Sequence, residues 1–193
     1  MSSQIIGIAE ALNYLHHYSP PVIHGDVKPV SFMLLARECP DRQLSQSNVL
    51  VSAEGKALLC DFGKVRFSYR QQRARSHPSP GGTRDYLAPE IIKACNNVRT
   101  TEASDIYSFG MLIYTVGSRS SAFPTEQSGT VIAKVARGER PEIPNTGLFA
   151  DCKGDGISDL VEEMWADEPS RRPNIRDVLN RLGTIRSKSL CSM

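Results

Sequence analysis

The sequence predicts a mainly α-helical domain with one small β-hairpin, an α+β fold. Apolar residues recur at helical spacing near the N-terminus and again over 105–116 and 157–165, which is typical of helices that bury one face. Between them, the short apolar runs 49–51 and 57–60 flank a turn that contains Gly55, and this pattern predicts a hairpin. A chain of 193 residues is long enough for one domain with its own core.

Charge and cysteine content restrict the class of function. The chain has 23 basic and 21 acidic side chains and a net charge of +2, which is too small to predict a nucleic-acid or an anionic-membrane partner. It shows no apolar run long enough to cross a bilayer and no signal-peptide pattern. Its five cysteines are scattered and include no C-x-x-C pair, which predicts reduced thiols in the cytoplasm or the nucleus.

The predicted helices follow in order along the chain. A first helix is indicated by apolar residues at helical spacing: Ile5, Ile8, Leu12 and Leu15. It ends at His16 and His17, which we interpret as polar helix-end residues in preference to metal ligands. The later segments are a buried helix over 105–116, a loop over 118–128, a short helix over 131–137, an irregular stretch over 141–156, an amphipathic helix over 157–165, a closing helix over 174–182 and a frayed tail over 183–193.

The motifs that carry chemistry begin at residue 24. His24-Gly25-Asp26-Val27-Lys28-Pro29 is followed, after an interruption, by Asn48 and then by Asp61-Phe62-Gly63. Gly82-Thr83, Ala88-Pro89-Glu90, a motif over 105–110 and another over 165–173 come next, in that order. This series resembles the catalytic core of the eukaryotic protein kinase family, in which H-R-D-L-K-P-x-N precedes D-F-G. The Lys28-Pro29 pair resembles the Ser/Thr branch, near the tyrosine-kinase-like group.

The resemblance implies a role for each motif residue. Asp26 would accept the proton of a substrate hydroxyl, Lys28 would place positive charge near the transferred phosphate, and Thr83 would brace both. Asn48 and Asp61 would hold Mg²⁺, since hard cations prefer oxygen ligands. The cofactor-binding residues for ATP and Mg²⁺ would be Asn48, Asp61, Phe62 and Gly63. Taken singly, these are turn and strand-end residues, whereas together with the downstream motifs they predict phosphate transfer to a protein substrate.

The resemblance covers only the larger, mainly helical C-terminal lobe of a kinase, over residues 1–182. In a complete kinase, the N-terminal lobe carries a Gly-rich loop, a lysine that contacts the phosphates and a glutamate that orients the lysine. None of these fits into the 23 residues that precede the first motif, so we expect negligible activity from these residues alone. The alternatives are a non-catalytic, pseudokinase-like module that binds a partner protein through the face that the missing lobe would cover, and a poorly folding fragment.

Residues 30–46 interrupt the catalytic motif. Joining Pro29 to Ser47 restores the family spacing between Asp26 and Asn48, which predicts that the intervening segment is inserted. Its codons can begin with the splice donor GT and end with the acceptor AG, and this favours a retained intron. The other interpretation is a translated surface insert, since long inserts cost little when they project outward.

The resemblance also implies an activation segment and two long-range contacts outside the catalytic loop. Residues 61–90 would form the activation segment. Asp105 would accept hydrogen bonds from the backbone of the catalytic loop. Arg172 would pair with Glu90 and tie the activation segment to the scaffold, with Arg171 as the competing assignment for that role.

Overall fold

A computed structural model describes residues 3–28, 49–51, 57–59, 66–67, 84–94, 99–152 and 154–191. The helices are α1 (Ser3–His16), α2 (Pro89–Lys93), α3 (Glu102–Ser118), α4 (Ser128–Ala136), α5 (Gly147–Asp151), α6 (Ile157–Met164) and α7 (Ile175–Cys191). The strands are β1 (Val22–Ile23), β2 (Val49–Val51), β3 (Ala57–Leu59) and β4 (Arg66–Phe67), and short 3₁₀ turns lie at Arg84–Tyr86 and Pro169–Arg171. Within these ranges, no helix is both long enough and apolar enough to cross a membrane.

Helix α3 is the buried centre of the fold. It begins with a capping box, in which Ser104 N donates to Thr101 Oγ1 (3.2 Å) and Thr101 N donates to Ser104 Oγ (2.9 Å), so two backbone donors at the helix start are satisfied. Apolar side chains around much of its circumference are buried, and it packs against α5, α6 and the 3₁₀ turn Arg84–Tyr86. The predicted buried helix is confirmed and is extended at both ends.

Helix α1 carries the chain into the motif region. Its apolar stripe is buried at Ile5, Ile8, Ala9 and Leu12, and it packs against α7 and β3. This confirms the first predicted helix. The stripe continues one turn further to His16, which is also buried.

The short strands form two antiparallel pairs. Strands β2 and β3 pair with Val49 opposite Leu59 and Val51 opposite Ala57, which confirms the predicted hairpin. Strands β1 and β4 also pair, with Val22 opposite Phe67, and this contact was not predicted because two-residue strands carry no readable period. The second pair links the chain immediately before His24 to the chain beyond the hairpin.

Two segments differ from the sequence prediction. The stretch over 141–156 was predicted to be irregular, but it contains α5, whose Phe149 is buried in the core. The closing helix was predicted to end at Leu182, with a frayed tail after it, but α7 continues to Cys191. Ile185 is buried against the core, so the helix gains apolar contacts beyond its predicted end.

Candidate active site

The loop after β1 holds the predicted catalytic pair. Lys28 Nζ lies 3.2 Å from Asp26 Oδ2, and the two side chains are only 12% and 4% exposed. The Asp26 amide donates to Nδ1 of His24 at 3.3 Å, and the His24 side chain is fully buried. The structure therefore places a shielded carboxylate beside an ammonium group at the two positions predicted for the base and for the phosphate-facing lysine.

The Asp105 carboxylate fixes the backbone of this loop. His24 N donates to Asp105 Oδ2 and Gly25 N donates to Asp105 Oδ1, both at 2.8 Å. Asp105 comes from the first turn of α3 and is buried. Hydrogen bonds from two successive amides to one carboxylate orient the peptides that lead into Asp26, which confirms the role predicted for Asp105.

A third donor to Asp105 was not predicted as such. His16 Nε2 lies 2.9 Å from Asp105 Oδ2, and both side chains are almost completely shielded from solvent. Because an ionised carboxylate only accepts hydrogen bonds, this contact assigns the proton of the imidazole to Nε2. The sequence held a signal for this residue, since His16 lies four positions after the buried Leu12 on the same helical stripe.

The chain before the Ala88-Pro89-Glu90 motif is anchored to α3 by side-chain hydrogen bonds. Ser108 Oγ donates to the carbonyl oxygen of Tyr86 at 2.7 Å, and the Tyr86 hydroxyl lies 3.3 Å from Thr115 Oγ1. Burial raises the pKa of the Tyr86 hydroxyl, with the Thr115 hydrogen bond acting in the opposite direction. Burial likewise raises the pKa of the neighbouring Asp85. This segment is therefore held against the same helix that orients the catalytic loop.

Glu90 and Arg172 form the ion pair that the resemblance implied. Arg172 Nη1 donates to Glu90 Oε1 at 2.8 Å and Nη2 donates to Oε2 at 2.7 Å, a bidentate arrangement. The guanidinium also donates to the carbonyl oxygens of Ala103 and Ala166, both at 2.9 Å. Arg172, with a side chain that is 0% exposed, is the residue that pairs with Glu90, and Arg171 is exposed.

A tyrosine on α3 lies against Arg172 and a second arginine. The guanidinium carbons of Arg140 and Arg172 lie 5.2 and 5.1 Å from the centroid of the Tyr107 ring, within the range of cation–π attraction. Arg140 also donates to the carbonyl oxygen of Trp165 at 2.9 Å and to the Asp167 carboxylate. Burial raises the pKa of Tyr107 to about 12, and its hydroxyl has no hydrogen-bond partner among the described residues.

The remaining predicted site residues lie outside the described residues. They are Asn48, Asp61, Phe62, Gly63 and Thr83. In the described part of the chain, no group of three or more His, Cys, Asp or Glu side chains could hold a metal ion. The structure thus brings together Asp26, Lys28 and the residues that support them, and the predicted Mg²⁺ ligands remain predictions.

Comparison with known proteins identifies a family and several relatives that this sequence resembles. The family described as "Protein kinase domain" matches residues 1–182. The human "Receptor-interacting serine/threonine-protein kinase 3" is 35% identical over 177 residues, which are 89% of this chain and 30% of that protein. The "Dual specificity protein kinase shkC" of Dictyostelium discoideum is 29% identical over 181 residues, 92% of this chain and 30% of the relative. The "Serine/threonine-protein kinase CTR1" of Arabidopsis thaliana is 26% identical over 93% of this chain and 19% of its own length.

The chain thus spans about a third or less of the length of these relatives. The family match covers nearly all of it, and the hydrogen bonds from His24 and Gly25 to Asp105 and the Glu90–Arg172 pair have the arrangement that the kinase motifs implied. The mostly helical structure is consistent with a protein kinase domain fold. The chain therefore belongs to the eukaryotic protein kinase family, in the tyrosine-kinase-like group of Ser/Thr kinases.

Proposed function

We propose that the described residues form the C-terminal lobe of a protein Ser/Thr kinase, which transfers the terminal phosphoryl group of ATP to hydroxyl groups of protein substrates. The observation that carries the proposal is the Asp26–Lys28 pair, with its amino and carboxylate groups 3.2 Å apart in a shielded loop. The substrate class follows from the Lys28-Pro29 signature and from the Ser/Thr kinases among the relatives.

The chemistry of the pair fits phosphoryl transfer. The reaction needs positioning and charge neutralisation more than covalent chemistry. The carboxylate of Asp26 would accept a hydrogen bond from the substrate hydroxyl and take its proton as the oxygen–phosphorus bond to the substrate forms, the bond from that phosphorus to the ADP oxygen breaks and ADP leaves. Lys28 keeps a positive charge beside the same position, where negative charge accumulates on the transferred group.

The hairpin register supports the predicted cofactor residues. Val49 and Leu59 are direct partners in the β2–β3 ladder, and partners of this kind have Cα atoms about 4.5–5.5 Å apart. Asn48 immediately precedes Val49 and Asp61 follows Leu59 by two residues, so we propose that the two come together at the open end of the hairpin. An amide oxygen and a carboxylate are ligands that Mg²⁺ accepts. Asn48 and Asp61 would hold the ion, and when bound, ATP would supply the phosphoryl group and Mg²⁺ would neutralise part of the phosphate charge.

These 193 residues by themselves are proposed to transfer phosphate negligibly. In the family, the Gly-rich loop, the phosphate-contacting lysine and its glutamate belong to the N-terminal lobe, and these elements do not fit into the 23 residues before the first motif. Losing a single preorganised donor to the transition state typically lowers the rate by about 10²–10³, and here several such groups are lacking at once.

The test has two arms. In the first, the 193-residue chain is incubated with radiolabelled ATP, Mg²⁺ and casein, and the expected transfer does not exceed that of the Asp26→Asn variant. In the second, cDNA sequencing across the locus defines the longest product that contains these residues, and that product is assayed in the same way. There, Asp26→Asn should lower the rate by about 10²–10⁴, whereas the exposed Glu10→Gln, a matched control on α1, should leave it unchanged.

Two results would overturn parts of this proposal. Mg²⁺-dependent transfer by the 193-residue chain that disappears in Asp26→Asn would show that the chain alone is active. If the longest product shows neither phosphate transfer nor Mg²⁺-dependent nucleotide binding, the result would favour the alternative function, a pseudokinase-like module that binds a partner protein. The same cDNA tests the predicted insert, because a transcript without the codons for residues 30–46 would identify them as a retained intron.

A further inference from the structure

His16, the last residue of α1, contacts the Asp105 carboxylate that orients the backbone of the catalytic loop. His16 Nε2 and His24 N share one oxygen of Asp105, at 2.9 and 2.8 Å, and Gly25 N takes the other oxygen at 2.8 Å. The His16 and Asp105 side chains are 2% and 1% exposed. Solvent therefore has little access to this cluster in the intact fold, and loss of a donor from it is costly.

We propose that His16 is a positioning residue for the catalytic loop, which holds the Asp105 carboxylate in the orientation that binds the His24 and Gly25 amides. The inference rests on the proposed function only in the assignment of Asp26 as the base. His16 acts through Asp105, and no contact with a substrate is required of it.

The physical reason is the freedom of a carboxylate about its last torsion. That torsion is broad in aspartate, so the number and direction of the donors set the plane of the group. Two of the three donors belong to the loop itself, and the third comes from α1, whose stripe from Ile5 to Leu12 is fixed in the core. His16 thus provides the donor that is anchored independently of the loop.

The position of Asp26 depends on this arrangement. Gly25 has a φ of +74°, in the left-handed region that glycine enters without a steric cost. Its amide hydrogen bond to Asp105 restrains a backbone that glycine otherwise leaves free, and Asp26 follows directly. A carboxylate that rotates away from Gly25 N therefore releases the peptide that carries the base.

The experiment compares two substitutions of His16 that place an amide group at different distances from the backbone. In His16→Gln, the amide Nε2 can occupy the position of the imidazole Nε2 and donate to Asp105, whereas in His16→Asn the shorter amide cannot. His17→Gln is the matched control, because His17 is the neighbouring histidine and is exposed. Backbone amide hydrogen exchange is measured residue by residue by NMR on the 193-residue chain.

The expected readout is local. In His16→Asn, exchange of the His24 and Gly25 amides should accelerate about tenfold or more relative to the buried amides of α3, as expected for loss of one hydrogen bond to a charged group. His16→Gln should restore most of that protection, and His17→Gln should match the parent chain. Since α3 amides report global opening, the ratio separates positioning from overall destabilisation.

Two outcomes would overturn the proposal. Equal acceleration of the loop and the α3 amides in His16→Asn would make His16 a general packing residue. Equal protection of His24 and Gly25 in the parent, Gln and Asn chains would show that the two amides need no third donor. Hydrogen exchange requires neither ATP nor turnover, so a failure here is distinguishable from a failure of the proposed kinase function.

Discussion

The buried ion pair between Glu90 and Arg172 offers a sharp test of the packing. Glu90→Gln keeps the size of the side chain but removes the negative charge that faces a guanidinium with no solvent exposure. Breaking a buried pair from one side typically destabilises a protein by about 3–5 kcal/mol, because the remaining charge is uncompensated. Glu90 is 26% exposed and Arg172 keeps its carbonyl acceptors, so we expect the lower end, about 3 kcal/mol.

A second arginine–glutamate pair in the chain provides the matched control. Arg181 donates to both carboxylate oxygens of Glu163, at 2.5 and 3.1 Å, so its geometry is also bidentate. Its side chains are 36% and 50% exposed, and exposed pairs contribute about 0–1 kcal/mol. The two substitutions Glu90→Gln and Glu163→Gln therefore differ mainly in the burial of the arginine.

The assay is urea denaturation followed by far-ultraviolet circular dichroism, with thermal unfolding as a second measurement. A loss of about 3 kcal/mol in a domain of this size corresponds to a fall in Tm of about 6–12 °C. An equal and small loss for both variants, below about 1 kcal/mol, would refute the argument that burial makes the Glu90–Arg172 contact strong. A loss for Glu90→Gln alone would confirm it.

Three further predictions concern buried hydroxyl, glycine and carboxyl groups. Tyr107→Phe should be as stable as the parent or more stable near neutral pH, because the buried hydroxyl has no described hydrogen-bond partner. Since burial raises the folded pKa of Tyr107 from 10.0 to about 12, ionisation of Tyr107 should cost the parent chain up to about 3 kcal/mol between these two pH values. Urea titrations should therefore show a larger loss of stability over this range in the parent than in the variant. Gly147→Ala should lower stability by about 2 kcal/mol or more, because the φ of Gly147 is +57° and an added Cβ would lie 2.3 Å from the carbonyl oxygen of Gly117. Gly183→Ala in α7 should instead raise the urea midpoint, with a gain of about 0.5–1 kcal/mol. An added Cβ there would meet no neighbouring atom within 4 Å. The pKa of Asp85 is raised by burial above 3.8, so the folded chain binds this proton more tightly and Asp85 contributes a fall in stability as the pH rises through that raised pKa. The difference between the urea midpoints of the parent and of Asp85→Asn should therefore change with pH over that range, with the parent losing stability relative to the variant.

The helices were predictable where apolar periodicity and length agree. Helices α1, α3 and α6 bury a stripe or most of a circumference, and their positions follow from the sequence. Helix α5 was missed because five residues are too short for a period and because it begins at Gly147 with a positive φ. The extra length of α7 depends on the burial of Ile185, which is a tertiary effect.

The site was predictable to the extent that motif order fixes it. Asp105 and the Glu90–Arg172 pair make the contacts that the motif series implied, whereas the roles of Asp26 and Lys28 remain predictions. His16 was not predicted to contact Asp105, because its partner is 89 residues away and a single histidine at the end of a helix is most often only a polar residue. Its place on the buried stripe was readable, but the identity of its partner required the fold.

One turn of α3 connects the parts of this site. Asp105 holds the catalytic loop, Tyr107 lies against Arg172, and Ser108 holds the carbonyl oxygen of Tyr86. At about 100° per residue, Tyr107 points away from Asp105 on nearly the opposite side of the helix, whereas Ser108 lies beside Asp105, one turn further along. The three side chains reach three separate segments. The catalytic loop and the segment that ends at Glu90 are therefore positioned by one rigid element, and a change in the start of α3 reaches both. This gives a structural reason for residues 105–110 to form one of the motifs in the series, although none of them is proposed to touch the substrate.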